Sequence, residues 1–102
     1  MLENFNKAFE SKARLGIMSV LMVNDYLSFN ALKSLLNLTD GNLATHLRAL
    51  EESTYIKVEK QFIGRKPNTT YAATPSGRTA FDEHLATLER FIRKSEPSVV
   101  GQ

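Results

Sequence analysis

Apolar residues recur at helical spacing through most of the chain, and this pattern predicts five helices. They cover approximately residues 2–9, 12–23, 29–37, 40–53 and 75–94. Four of them follow a residue that suits an N-cap, namely Ser11, Ser28, Thr39 and Thr74. Asn37 tolerates a left-handed backbone, so we expect the third helix to end there.

Between the fourth and fifth helices the apolar period changes from helical to alternating. Ile56, Val58 and, loosely, Phe62 alternate with polar residues over 55–62, which predicts a half-buried strand. Turn-forming residues follow over 63–68, and the β-prone segment 69–74 returns as a second strand. The two strands are expected to form an antiparallel hairpin.

The order of these elements predicts the fold class: mainly α with a two-stranded β-hairpin (α+β). Two short helices joined by a tight turn and followed by a ribbon are typical of a winged helix-turn-helix. With 102 residues, 42% of them hydrophobic, the chain suits one globular domain. We expect that domain to cover 1–96, with a flexible C-terminal tail over 97–102.

Composition limits the chemistry and the compartment. The chain has no cysteine, which excludes disulfides and thiolate metal sites. Its start lacks a basic segment followed by an apolar core, and its longest apolar stretch, 16–23, is far shorter than the roughly 20 residues of a membrane span. The expectation is a soluble cytoplasmic protein with no membrane partner, no metal and no cofactor.

Positive charge is concentrated in the predicted hairpin. The whole chain has a net charge of only +2, whereas 55–78 hold five basic residues and one acidic residue, a net of +4. A localised basic patch favours a nucleic-acid partner. Charge alone leaves a solubilising surface hairpin as an equal alternative.

The fourth helix has the pattern of a DNA-reading helix. Leu43, Leu47 and Leu50 share one face and point to the core, which leaves the polar side free to enter a major groove about 12 Å wide. Candidate DNA contacts on this helix are Thr39, Asn42, Thr45, His46 and Arg48. Candidate contacts on the wing are Lys60, Arg65, Lys66 and Asn68. By itself, such a helix is more often an ordinary amphipathic surface helix; the neighbouring basic hairpin favours the DNA interpretation.

Five segments together resemble a known family. They are SKARLGIM (11–18), LTDGNLATHLRALE (38–51), YI (55–56), GRKPNTTY (64–71) and TPSGR (74–78). They resemble the small prokaryotic winged-helix regulators of the MarR/ArsR-like superfamily. The resemblance implies a homodimer through the first and last helices, a major-groove helix over 40–52 and a wing that touches the DNA backbone. Thr54 stands where that family usually has glycine, so we expect left-handed backbone strain there.

Apolar residues in the first and last helices exceed what a core of this size needs, and such a surplus indicates an interface. The predicted dimer interface consists of Leu2, Phe5, Phe9, Phe81, Leu85, Leu88, Phe91 and Ile92. The predicted assembly is a twofold dimer that presents two reading helices roughly 34 Å apart to a palindromic operator in double-stranded DNA.

Other functions fit less well. An enzyme is disfavoured because there is no phosphate loop or nucleophile motif, and Asp82, Glu83 and His84 point in different directions on a solvated helix surface, with His84 near an apolar seam. The main rival is a winged helix that binds protein rather than DNA. A small-molecule effector is left open, since Met18 and Met22 could line a pocket, although methionine at helical spacing is usually core filler.

Overall fold

A computed structural model describes residues 5–95, which form four α-helices and a small antiparallel sheet. The elements are α1 (Lys12–Met22), β1 (Leu27–Ser28), α2 (Phe29–Leu36), α3 (Asp40–Glu52), β2 (Ile56–Ile63), β3 (Lys66–Ala73) and α4 (Pro75–Ser95). This order confirms the predicted mainly α winged fold. Leu2 and the predicted tail over 97–102 lie outside the described residues.

The helices begin where the sequence predicts. Ser11, Ser28, Thr39 and Thr74 each accept, through the side-chain oxygen, the backbone N–H three residues further on. Each such cap contributes about 1 kcal/mol. Asn37 ends α2 with φ 53°, the left-handed geometry expected of it.

The predicted helix over 2–9 is wrong in its described part. Asn6 has an extended backbone (φ −87°, ψ 121°), and its side chain accepts the N–H of Ala8. Only the single 3-10 turn Lys7–Phe9 follows. Asn6 is therefore not helical, because its side chain caps the turn that begins at Lys7.

The hairpin is longer and its turn tighter than predicted. β2 pairs with β3 from Ile56↔Ala73 to Ile63↔Lys66, which leaves a turn of two residues, Gly64 and Arg65. Gly64 has φ 66°, and a positive φ at the first of two turn residues is the type II′ hairpin geometry. The predicted turn over 63–68 is therefore wrong, because Pro67 and Asn68 belong to β3.

Pro67 is accommodated because of its place in the ladder. It lies one pair beyond the residues flanking the turn, where the backbone nitrogen of an antiparallel strand faces away from its partner. β1 pairs with β3 only at Thr70 and Tyr71 and does not reach Pro67. No ladder hydrogen bond is lost there, so the proline does not end the strand.

The sheet has a third strand that the sequence analysis missed. β1 pairs antiparallel with β3, giving the order β1-β3-β2. A strand of two residues shows no alternation of its own, so only its neighbour in space reveals it. It ties the loop after α1 to the base of the wing.

One core joins the three N-terminal helices to the sheet and α4. Its members are Phe9, Ile17, Met18, Leu21, Leu32, Leu43, Leu47, Leu50, Ile56, Ala73 and Phe81. Phe9 and Phe81 are only 2% and 4% exposed, and their ring centroids are 5.4 Å apart. The prediction that these two residues belong to a dimer interface is therefore wrong; they close the core under α4.

His84 and Arg78 are held by contacts inside the fold. His84 lies on the apolar stripe of α4, is 8% exposed, and accepts the N–H of Asn6 at its Nδ1 at 3.1 Å. The guanidinium of Arg78 donates to the carbonyls of Leu21 and Met22, where a cation is favourable at the C-terminus of α1.

Thr54 adopts the strained backbone that its position predicts, with φ 64°. Replacing it by glycine removes a left-handed cost of roughly 1–3 kcal/mol, partly offset by the extra entropy of the unfolded chain. We expect Thr54→Gly to stabilise the fold by about 1 kcal/mol and to raise Tm by roughly 4–8 °C in a thermal melt. Ser53→Gly is the control, because Ser53 has a right-handed φ of −78° and gains nothing from glycine. Equal destabilisation by both variants would contradict the assignment of strain to Thr54.

Candidate nucleic-acid interface

Helix α3 presents a polar outer side opposite a buried apolar one. Leu43, Leu47 and Leu50 are buried, as predicted. Asn42, Thr45 and Arg48 are exposed, and their spacing of three residues places them along one side of the helix. These three side chains can reach a surface that approaches α3.

The N-terminus of α3 is held at both its backbone and its side chains. Thr39 accepts the N–H of Asn42 at 3.2 Å, and Lys33 of α2 forms an ion pair with Asp40 at 2.8 Å. Thr45 donates its hydroxyl to the carbonyl of Gly41 at 2.9 Å. The side chain of Thr39 is thus engaged as a cap, and the helix start is fixed relative to α2.

His46 lies on the flank of α3 that faces α1. It is half-buried, and its Nδ1 is 3.4 Å from a guanidinium nitrogen of Arg14. Arg14 also donates from Nε to the carbonyl of Ala8 at 2.7 Å. Arg14 was missed as a residue of this region, because no local pattern in the sequence links α1 to α3. His46 is therefore linked through Arg14 to the N-terminal segment, and it lies beside the polar outer side of α3.

The other flank of α3 meets the hairpin in a groove, called here the wing groove. Arg48 and Glu51 line it from α3, and Val58, Lys60 and Tyr71 line it from the sheet. Burial, and then the nearby Glu51 carboxylate, raise the pKa of Tyr71 above its usual value of 10.0. Tyr71 therefore keeps its proton at neutral pH and offers an O–H donor beside two cations.

The predicted wing residues divide between the two faces of the hairpin. Strand alternation places Lys60 on the face toward α3, and Lys66 and Asn68 on the opposite face. Arg65 lies in the turn, and Asn68 is half-buried. The structure thus brings Lys60 together with Arg48, whereas Lys66 and Asn68 approach a partner from the other side of the tip.

Lys57, the other lysine of β2, lies on the face of the sheet opposite Lys60. It lines a hollow on the outer face of the sheet together with Asp25, Tyr26 and Glu59. Two carboxylates near this lysine reduce the positive charge of that face. The outer hollow is therefore less suited to phosphate than the wing groove.

Two apolar residues at the wing tip were not singled out by the sequence analysis. Phe62 is 73% exposed and Ile63 is 66% exposed. The sequence pattern had placed Phe62 loosely on the buried side of its strand. Phe62 does lie on the core-facing side of β2. However, this end of the strand extends beyond the core, so no described residue covers the phenyl ring.

The C-terminal half of α4 carries a further apolar face. Leu85, Leu88, Phe91 and Ile92 are large hydrophobic residues with exposed surface. Phe5 packs edge-on against His84 and Phe91, with centroids 5.5 Å and 6.0 Å away. The stripe that reaches the core at Phe81 thus continues outward along the helix.

The described residues, 5–95, contain neither a metal-ligand cluster nor a membrane-spanning helix. In that part of the chain, no group of three or more His, Asp or Glu side chains could hold a metal ion. No described helix combines the length and apolar character needed to cross a membrane.

Comparisons with known proteins agree with this geometry. A family model described as a winged helix DNA-binding domain matches residues 13–92. The chain is 40% identical over 90 residues to an uncharacterized protein of Methanocaldococcus jannaschii, which covers 88% of this chain and 98% of that protein.

Two solved structures are similar to the whole fold. A transcriptional regulator homologue from Pyrococcus horikoshii OT3 has a TM-score of 0.81 at 30% identity, covering 88% of this chain and 89% of that one. A regulator of the MarR family from Enterococcus faecalis V583 has a TM-score of 0.71 at 26% identity, covering 85% and 81%. The chain therefore belongs to the family of winged helix DNA-binding domains, and its structural neighbours include transcriptional regulators of the MarR family.

Proposed function

We propose that this protein is a sequence-specific regulator that binds double-stranded DNA as a homodimer. Helix α3 lies in the major groove, and the wing contacts the adjacent backbone or minor groove. One observation carries the proposal: Arg48 of α3 and Lys60 of the wing line the same groove, so the reading helix and the basic hairpin form one continuous surface.

The residues of this surface have different roles. Asn42, Thr45 and Arg48 reach base edges, since amide and guanidinium groups can form paired hydrogen bonds with adenine and guanine. His46 and Thr39 contact the phosphates at the edge of the groove. Lys60, Arg65, Lys66 and Asn68 contact the backbone from the wing, where they position the protein without reading sequence.

The apolar face of α4 supports the homodimer. Leu85, Leu88, Phe91 and Ile92 expose apolar surface on the outer part of α4, and an apolar stripe that runs past the core suits a second copy of the same helix. A twofold dimer presents two α3 helices to a palindromic operator, one DNA turn apart. A prokaryotic regulator that binds DNA in this way acts in the cytoplasm and needs no catalytic activity.

The first experiment measures binding to random-sequence duplex DNA by fluorescence anisotropy across a salt series. Phosphate contacts release counterions, so log K falls with log salt by about 0.9 for each contact. Arg65→Ala/Lys66→Ala removes two contacts and is expected to make the slope shallower by about 1.8 per protomer.

Arg93→Ala/Lys94→Ala is the matched control, because it removes the same charge from exposed positions at the far end of α4. Its slope should equal that of the wild type. If the wild-type protein does not bind duplex DNA even at low salt, the proposed function is wrong and a protein partner for the wing becomes the better hypothesis.

A further inference from the structure

The wing tip combines cations with uncovered apolar side chains. Phe62 and Ile63 are among the exposed large hydrophobic residues, and they directly precede the turn that carries Arg65. Exposing a phenylalanine at 73% forgoes most of the free energy that its burial would provide. A contact with a partner would recover this free energy.

The Phe62 side chain lies on the α3 side of the hairpin. Side chains alternate along β2, so Phe62 shares its face with Val58 and Lys60, both of which line the wing groove. Arg48 lines the same groove from α3. A duplex that α3 enters would therefore meet the Phe62 face of the wing.

Phe62 is also held by its position in the ladder. It pairs directly with Pro67, whose ring has no freedom about φ. The two-residue turn closes the hairpin only one pair further on. The tip is thus a short, stiff, apolar end rather than a flexible loop, which lowers the entropy lost when it contacts a partner.

We propose that Phe62 is an apolar wedge that enters the DNA minor groove at a base step and bends the duplex. The inference rests on the proposed DNA-binding function. Minor-groove proteins commonly insert a phenylalanine, isoleucine or proline between base steps and kink the DNA, and cations beside the wedge hold the phosphates. Lys60 and Arg65 are placed to do so on this wing.

The charge around the tip favours DNA over a second protein wing. Lys60, Arg65 and Lys66 are exposed within a few residues of Phe62, and Glu59 is the one acidic residue in 55–78. Two positively charged wing tips would repel each other, whereas the negatively charged DNA backbone is attracted to such a tip. Pyrimidine–purine steps such as TA and CA are the easiest to unstack, so the wedge adds a preference for these steps beside the α3 site.

The test compares wild type, Phe62→Ser and Phe62→Leu on end-labelled duplexes with a central TA step. Anisotropy gives affinity and salt slope, and energy transfer between the two DNA ends gives bending. Tyr26→Ser is the control, since Tyr26 is an exposed aromatic residue on the outer hollow. Because Phe62 is largely exposed, its substitution should leave the thermal melt of the free protein unchanged.

We expect Phe62→Ser to abolish bending and to weaken binding about tenfold, in the range that base–aromatic contacts contribute. Its salt slope should stay at the wild-type value, because no phosphate contact is lost, and Phe62→Leu should restore bending. Unchanged bending in Phe62→Ser overturns the wedge while leaving DNA binding intact. A change in sedimentation of free Phe62→Ser also overturns it, because the ring would then contact protein. If the wild-type protein does not bind DNA, the proposed function is wrong and the wedge is wrong with it.

Discussion

Gly77→Ala is expected to destabilise the protein by about 3 kcal/mol or more, toward or beyond the upper end of the usual cost of overpacking. A Cβ at Gly77 would lie 2.0 Å from the carbonyl oxygen of Tyr55, 2.8 Å from its carbonyl carbon and 3.0 Å from its Cα. All three are backbone atoms, so no side-chain rotation can relieve the contact. The start of α4 and the chain before β2 would have to separate.

That separation would break an existing junction. The Tyr55 carbonyl accepts the N–H of Thr74 at 3.0 Å, and the Tyr55 N–H donates to Leu50 at the end of α3. The Tyr55 hydroxyl accepts a hydrogen bond from Asn6. For a domain of this size, 3 kcal/mol lowers Tm by roughly 12–24 °C, which a thermal melt at fixed protein concentration measures directly.

Gly41→Ala is the matched control, since it is also a glycine within the first turns of a helix. A Cβ at Gly41 meets nothing within 4 Å, so alanine there should stabilise by up to about 1 kcal/mol through helix propensity. The two substitutions are therefore expected to shift Tm in opposite directions. Equal shifts would show that Gly77 does not approach Tyr55 as closely as the structure indicates.

Features that depend on neighbouring residues in sequence were predictable. The four caps, the left-handed end of α2 at Asn37 and the buried leucines of α3 each follow from a local pattern. The strained backbone at Thr54 followed from the family resemblance. These features position α3 beside the wing, which is why the overall fold and the location of the candidate interface could be read from the chain.

Features that depend on contacts distant in sequence were not predictable. The sequence cannot show that Arg14 reaches His46, or that Arg78 reaches the end of α1. Phe9 was assigned to an interface because its apolar surface was counted without knowing what covers it. The faces of Lys66 and Asn68 could not be assigned for a similar reason, since the length of the turn decides which way these side chains point.

Helix α4 shows why the core and the interface were difficult to separate. Its apolar stripe is one continuous pattern in the sequence from Phe81 to Ile92. The structure divides that stripe: Phe81 and His84 are buried, whereas Leu88 and Ile92 are 42% and 55% exposed. In the proposed homodimer, a second copy of α4 covers the outer, exposed part of this stripe.

Leu88→Glu is therefore expected to dissociate the homodimer. In a twofold interface each substitution acts twice, once on each protomer. Because Leu88 is 42% exposed in the single chain, the interface buries less than half of each leucine, and losing that burial for the pair costs about 1–3 kcal/mol, which raises the dimer Kd by roughly 5–150-fold. Burying two unpaired carboxylates in the interface adds a further cost. Sedimentation velocity at micromolar concentration should then give the 11.5 kDa mass of one chain instead of twice that mass. Affinity for a palindromic duplex should fall steeply, because the two α3 helices no longer bind as a linked pair.

Ala86→Glu provides the control, because it adds the same charge to an exposed position on the opposite side of α4. It should leave both the mass and the DNA affinity at wild-type values. Since Leu88 is 42% exposed in the single chain, the fold of the monomer should survive its replacement, which circular dichroism checks. A wild-type protein that sediments as a monomer would contradict the dimer, and its DNA binding would then depend on one α3 and one wing. Dissociation by Leu88→Glu with unchanged DNA affinity would show instead that the α4 face pairs the chains without setting the spacing of the reading helices.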